Sequence, residues 1–146
     1  MIEYRRIELA DVAAVTAFAC RAIASAGDIP LRVYPAKIAG AVAHFAEQPG
    51  HFQMAAFENG LPVAAVAALV SEMPFHERCE AHVCICFSTV AGAGMRLIRA
   101  LVAWFRADFR LRRLVWAMNP GFDARLTRLA ARLGFEPACP LFVMMK

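Results

Sequence analysis

The stretch Phe87-Ser88-Thr89-Val90-Ala91-Gly92-Ala93-Gly94-Met95 constrains this chain more than any other. Before it, Ala81–Thr89 is apolar on both alternating sides, the pattern of a central strand. After it, Met95, Ile98, Leu101, Val102, Phe105 and Phe109 recur at helical spacing and predict a buried stripe on a helix reaching about Phe109. The link, Val90–Gly94, consists of small residues. A strand that enters a helix through such a turn leaves the first N–H groups of the helix without acceptors and without bulk in front of them. That arrangement binds phosphate. The same residues also suit a tight turn that needs small side chains for packing, and both readings stand at this point.

The remaining elements order themselves around this unit. Ile2–Leu9 alternates as a first strand, and Asp11 can cap a helix carrying Val12, Val15, Phe18, Ala19, Ala22 and Ile23. Pro35 suits the first turn of a second helix, whose apolar face is Ile38, Val42 and Phe45 and which stops at Gln48-Pro49-Gly50. His51–Phe57 alternates with Phe52, Met54 and Ala56 on one side. Asn59-Gly60 then favours positive φ and predicts a hairpin into Leu61–Ser71. Glu72–Glu80 reads as a polar connector. Beyond the long helix, Arg113–Met118 is a short strand and Asn119-Pro120-Gly121 a turn. Asp123 caps a helix bearing Leu126, Leu129 and Leu133, Gly134 takes its C-terminal position, and Ala138–Met145 is a closing strand. The order is β-α-α-β-β-β-α-β-α-β, expected as a single domain over residues 1–146.

Composition bears on surroundings and partners. Hydrophobic residues make up 60% of the chain, against about 45–50% in soluble proteins. The surplus predicts extra buried surface, and a homodimer is the expectation. A spanning helix needs about 20 apolar residues. Leu61–Val70 is too short for that, and Ser88, Thr89, Gly92 and Gly94 interrupt Ala81–Met95, so no membrane partner is expected. The N-terminus lacks the apolar segment of a signal peptide and the odd number of cysteines argues for reduced thiols, so a cytoplasmic setting is expected. Between Arg96 and Arg132, arginines face only Asp108 and Asp123 as counter-charges. Such a block suits an anionic partner, such as nucleic acid, a membrane surface or a phosphorylated cofactor, or it forms solvated helix faces. No element that reads duplex DNA is present, so a nucleic-acid partner is not expected.

Taken together, the order of elements, the turn Thr89-Val90-Ala91-Gly92-Ala93-Gly94 with its helix, and Arg128-Leu129-Ala130-Ala131-Arg132-Leu133-Gly134-Phe135-Glu136-Pro137 resemble the GNAT superfamily of N-acetyltransferases over nearly the whole chain. The style and length are similar to those of GNAT-like proteins of tailed phages. The resemblance implies an α/β fold: a mixed, mostly antiparallel central sheet of about six strands flanked by about four helices. It implies acetyl-CoA, or another acyl-CoA, as co-substrate, and transfer of an acetyl group to an amine that the sequence does not identify. On this alignment Phe87 and Thr89 lie along the pantetheine arm, Val90, Gly92, Ala93, Gly94 and Met95 hold the pyrophosphate, and Asn119 lies in a further CoA-contacting region. Arg96 and Arg99 can reach the cofactor phosphates.

The chain departs from the family pattern at Thr89, where Gln or Arg is usual, and at Ala130, where a tyrosine commonly protonates the departing thiolate. Alanine has no proton to give. A catalytically degenerate interaction or regulatory protein on the same fold is therefore the alternative. Glu80 and His82 are the candidate bases. Strand alternation predicts Glu80, His82, Cys84 and Cys86 on one face, and the competing role for Glu80 and His82 is a solvated strand entrance. His76, Cys79, His82, Cys84 and Cys86 are metal-ligand types, but the usual Cys-x-x-Cys spacing is absent and no metal is expected. A thiol nucleophile at Cys84 or Cys86 would need a basic neighbour, and only His82 is at hand.

Overall fold

A computed structural model describes residues 1–25, 33–117 and 124–137. In chain order its elements are β1 (Ile2–Arg5), a 3-10 turn (Leu9–Asp11), α1 (Val12–Ser25), α2 (Pro35–Glu47), β2 (Phe52–Glu58), β3 (Leu61–Glu72), β4 (Cys79–Ser88), α3 (Ala93–Ala107), β5 (Leu111–Val115) and α4 (Ala124–Arg132). The strands lie in the sheet in chain order; β1 to β4 are antiparallel, and β5 runs parallel to β4. This is the mixed, mostly antiparallel α/β sheet expected, with five strands among the described residues instead of about six. The expected closing strand Ala138–Met145 lies outside the described residues.

The sheet separates two apolar clusters. On the α3 face, Leu97, Ile98 and Leu101 pack on Phe52, Ala56, Ala64, Val66, Ala68 and Ala81. On the other face, Val15 and Phe18 of α1 and Val42 of α2 pack on Ala55, Phe57 and Ala65. Ala55 and Ala56 of β2, Ala64, Ala65, Ala67 and Ala68 of β3 and Ala81 of β4 are fully buried or nearly so. Side chains this short let helices approach both faces closely. The sequence pattern holds in β2, where Phe52, Met54 and Ala56 share the α3 face. It holds at Asn59 (φ 51°) and Gly60 (φ 77°), which supply the paired positive φ angles of a tight hairpin turn.

Several boundaries move. β4 starts at Cys79, so Glu80 belongs to the strand and not to a connector. α3 ends at Ala107 because Asp108 is extended, and its carboxylate accepts the Arg110 backbone N–H at 3.0 Å and the Arg110 guanidinium at 2.6 Å. Phe109 therefore leaves the predicted buried stripe and is 85% exposed. β5 starts early, at Leu111. At the end of α4 the Gly134 N–H donates to Ala131 O at 3.1 Å and the Phe135 N–H to Ala130 O at 3.0 Å, with Gly134 at φ 92°. That is a Schellman closure, as the glycine predicts.

Two β-bulges shape the functional end of the sheet. Ala67 pairs with Ile85 and Ala68 with Val83, so Cys84 is an extra residue in β4. Cys79 pairs with Leu111 and Glu80 with Arg113, so Arg112 is an extra residue in β5. A bulge reverses which face the following side chains take. The expectation that Glu80, His82, Cys84 and Cys86 share one face is accordingly corrected. Ala81, Val83 and Cys86 face the α3 cluster, whereas Ile85 and Phe87 face α1.

Candidate active site

The glycine turn is built by two different demands. Gly92 caps α3 at φ 82°, a left-handed conformation that side chains resist. Gly94 is needed for space: a Cβ there would lie 2.9 Å from Ser88 Cβ. The helix start is thereby drawn onto the end of β4. The Ser88 hydroxyl donates to Val90 O at 2.7 Å and fixes the turn. Ala93 is buried in the core, and its N–H donates to Val90 O at 3.3 Å. The first intrahelical bond is Arg96 N–H to Gly92 O, which leaves the Gly94 and Met95 N–H groups free of helical acceptors. Thr89 belongs to the same turn. Its N–H and hydroxyl both donate to Val63 O, at 2.9 and 3.0 Å, tying the turn to β3.

From this turn the edge of β4 is open. β4 pairs with β3 along its whole length, but its pairing with β5 stops at His82–Val115. Val83 to Ser88 therefore have no partner strand on the β5 side among the described residues. Such an edge presents backbone donors and acceptors to an extended ligand. It spans about 20 Å at about 3.3 Å per residue.

Recesses flank the turn. One, of about 300 Å³, lies between α3 and α4 and is lined by Met95, Arg128, Leu129 and Arg132. The other, of about 400 Å³, lies on the α1 face and is lined by Phe18, Arg21, Ser25, Pro62, Phe87 and Thr89. Phe87 meets Phe18 edge-on at 5.6 Å there. The first recess shows what sequence reasoning missed: Arg128 and Arg132, one helical turn apart, put cations beside Met95. Their i, i+4 spacing in a helix of high amphipathicity was the available signal. Arg99 shares the Met95 side of α3 by the same spacing, but Arg96 does not. Its guanidinium stacks 4.3 Å over the Tyr4 ring, away from the turn. Asn119 lies outside the described residues.

Glu80 and His82 stand at the other end of the open edge. His82 Nε2 is 3.0 Å from Glu80 Oε2, and the Arg113 guanidinium is 2.7 Å from Glu80 Oε1. The Glu80 side chain is 11% exposed and that of His82 45%. These residues are brought together with one another, but not with the glycine turn. Arg113 was not foreseen, because the bulge that aims it has no sequence signature. The thiols are unactivated. Cys84 donates to Ala67 O at 3.4 Å and its pKa is raised by desolvation, while burial pushes Cys86 up to about 11. Neither offers a thiolate near neutral pH. Among the described residues no group of His, Cys, Asp or Glu side chains forms a metal site, and no helix is long and apolar enough to cross a membrane.

No protein-family model and no curated protein matches this chain. Solved structures do. A predicted acetyltransferase from Clostridium acetobutylicum, solved with acetyl-CoA, matches 99% of this chain and 96% of its own, with a TM-score of 0.80 at 13% identity. A possible acetyltransferase from Clostridium difficile 630 matches 100% and 98%, with a TM-score of 0.77 at 9% identity. A GNAT-family acetyltransferase from Streptococcus pneumoniae matches 92% and 83%, with a TM-score of 0.73 at 17% identity. An α/β protein with a strand-to-helix glycine turn is the class defined by the fold and site. More particularly, its fold is that of the GNAT acetyltransferases.

Proposed function

We propose that this protein binds acetyl-CoA, or another acyl-CoA, along the open edge of β4 and transfers the acyl group directly to an amine. The observation that carries the proposal is the continuity of that edge from His82 to the Gly92–Gly94 helix start. The free N–H groups of Gly94 and Met95 suit a pyrophosphate, and Arg128 and Arg132 supply cations in the adjoining recess. The unpaired backbone of Val83–Ser88 suits the amides of the pantetheine arm. Glu80 or His82 takes the amine proton, and the protonated thiols of Cys84 and Cys86 argue for direct attack over an acyl-cysteine route. The supported reading leaves the acceptor amine open.

Calorimetry and thermal shift with millimolar acetyl-CoA test the first half, and absence of both heat and shift refutes it. A broad amine screen with a free-thiol readout tests the second. Ala130 favours a second reading. It is 3% exposed and carries no proton at the position where the family commonly has its acid. Acetyl-CoA binding without acyl-dependent CoA release in the screen would establish the non-catalytic interaction protein instead.

A further inference from the structure

We propose that Arg113, Glu80 and His82 form a relay in which His82 Nδ1, and not Glu80, accepts the amine proton, while Glu80 and Arg113 act as positioning residues. This rests on the transfer reading above for the role of the proton, but the relay itself rests on geometry alone.

His82 Nε2 lies 3.0 Å from Glu80 Oε2, and because a carboxylate only accepts, its charge favours the tautomer with the hydrogen on Nε2. Glu80 Oε1 is taken by the Arg113 guanidinium at 2.7 Å. Glu80 thus has a nitrogen of His82 or Arg113 within 3.0 Å of each oxygen and a side chain only 11% exposed, whereas His82 is 45% exposed. With Nε2–H committed, the neutral imidazole holds its free lone pair on Nδ1. Carboxylate and cation fix the ring's tautomer and orientation, the division of labour by which a carboxylate serves a general-base histidine.

The bulges place this relay. Were the pairing unbroken from Cys79–Leu111, Arg112 would stand opposite Glu80, and Arg113 would stand opposite Ala81 on the other face. With it, Arg113 stands beside Glu80. His82, paired with Val115, is the last β4 residue in register with β5, so its ring lies where the strands part and the open edge begins. Cys84, bulged just beyond, opens the edge without turning His82 away. The neighbours of Glu80 and His82 on β3 are Ser71 and Leu69, which offer no competing charge.

The step balances. The amine nitrogen bonds to the acyl carbon, the carbon–sulfur bond breaks, and its electron pair leaves on the CoA sulfur. The amine N–H proton passes to Nδ1 of His82, and the imidazolium then returns it to the thiolate or to water. Net products are the amide and CoA thiol, and the chain needs no tyrosine at Ala130.

Histidine-ring ¹⁵N NMR on the full chain tests the relay without any acceptor. The expected result is a single Nε2–H tautomer for His82, mixed tautomers in E80A and R113A, and return of the Nε2–H form in R113K. With an amine found by the screen, H82A should lose about 100-fold or more in kcat with KM for acetyl-CoA little changed. R113A should lose about tenfold, as when an outer partner of a ligating histidine is removed, and R113K should recover most of it. An Nδ1–H tautomer in the wild type overturns the relay whatever the activity. A larger loss in E80A than in H82A, with the His82 tautomer intact, makes Glu80 the base and overturns the assignment. The expected tautomer without turnover of any amine overturns the transfer reading, and the base role of His82 with it, but leaves the ion-paired geometry standing.

Discussion

Replacing Gly94 with alanine tests whether the turn is built for close approach. The new Cβ would sit 2.9 Å from Ser88 Cβ and 3.5 Å from Ser88 Oγ. Carbon atoms pack at about 3.5–4.0 Å, so helix and strand must separate by about half an ångström or more. Ser88 cannot yield by rotating, because its Cβ is fixed by the backbone. That backbone is held to Ala64 of β3, and its hydroxyl is bonded to Val90 O at 2.7 Å. Overpacking of this kind costs about 1–3 kcal/mol. Alanine returns at most about 1 kcal/mol of helix propensity. G94A should therefore lose about 1–2 kcal/mol of stability in urea. Because the shift moves the Gly94 and Met95 N–H groups, acetyl-CoA affinity by calorimetry should fall about tenfold, equivalent to about 1.4 kcal/mol. Gly40 is the control. It lies within α2 with nothing within 4 Å of an added Cβ, and G40A should gain about 0.5–1 kcal/mol with affinity unchanged. If G94A matches the wild type in both stability and affinity, the close-approach argument is wrong.

Other perturbations follow from the ion pairs and cations. Arg5 grips Asp11 through contacts of 2.6 and 2.9 Å, and D11A should cost about 1.5–3 kcal/mol in urea denaturation. The His51 pKa is held below its ordinary 6.5 by burial and by the charges of His44 and Arg6, and its Nδ1 accepts the Val70 N–H at 3.1 Å. A depressed folded pKa means stability that is complete above 6.5 and lost as pH falls through the lower folded value. Urea midpoints should therefore decline below pH 6.5 in the wild type and decline less in H51Q. The Arg5 hydrogen bond lowers Asp11 below 3.8 in the same sense, so its share is lost only at more acid pH. The exposed pair R128A/R132A should weaken acetyl-CoA binding about tenfold or more and flatten its salt dependence, as calorimetry at two salt concentrations would show. Unaltered affinity would remove α4 from the cofactor site.

Much of the fold was legible because it is written in local periodicity. The apolar stripe of α3, the alternation in β2, the Asn59-Gly60 turn and the Gly134 closure each depend on residues a few positions apart. What was illegible depends on partners distant in sequence. Phe109 fits the helical repeat, yet Asp108 ends the helix by binding Arg110, a competition that periodicity does not register. Thr89 stands out in sequence as a departure from the family pattern, but its bond to Val63 O, across the β3–β4 pair, is not legible there.

The bulges carry the larger lesson for the site. Strict alternation groups Glu80 and His82 with Cys84 and Cys86, which invites metal or thiol chemistry. One extra residue at Cys84 sends Cys86 into the α3 core, and one extra residue at Arg112 brings Arg113 to Glu80. Residue types alone could not decide between these arrangements, since each uses the same side chains. The register decides, and it replaces a cysteine-rich face with a carboxylate held between an arginine and a histidine. The chemistry of this site is therefore a property of strand pairing. A variant that deletes Arg112 removes the bulge yet leaves Leu111 opposite Cys79 and Arg113 opposite Glu80, so His82 should keep its single tautomer and the α3 face its core. A deletion variant that folds but loses the Nε2–H form would show that pairing register alone does not position Arg113.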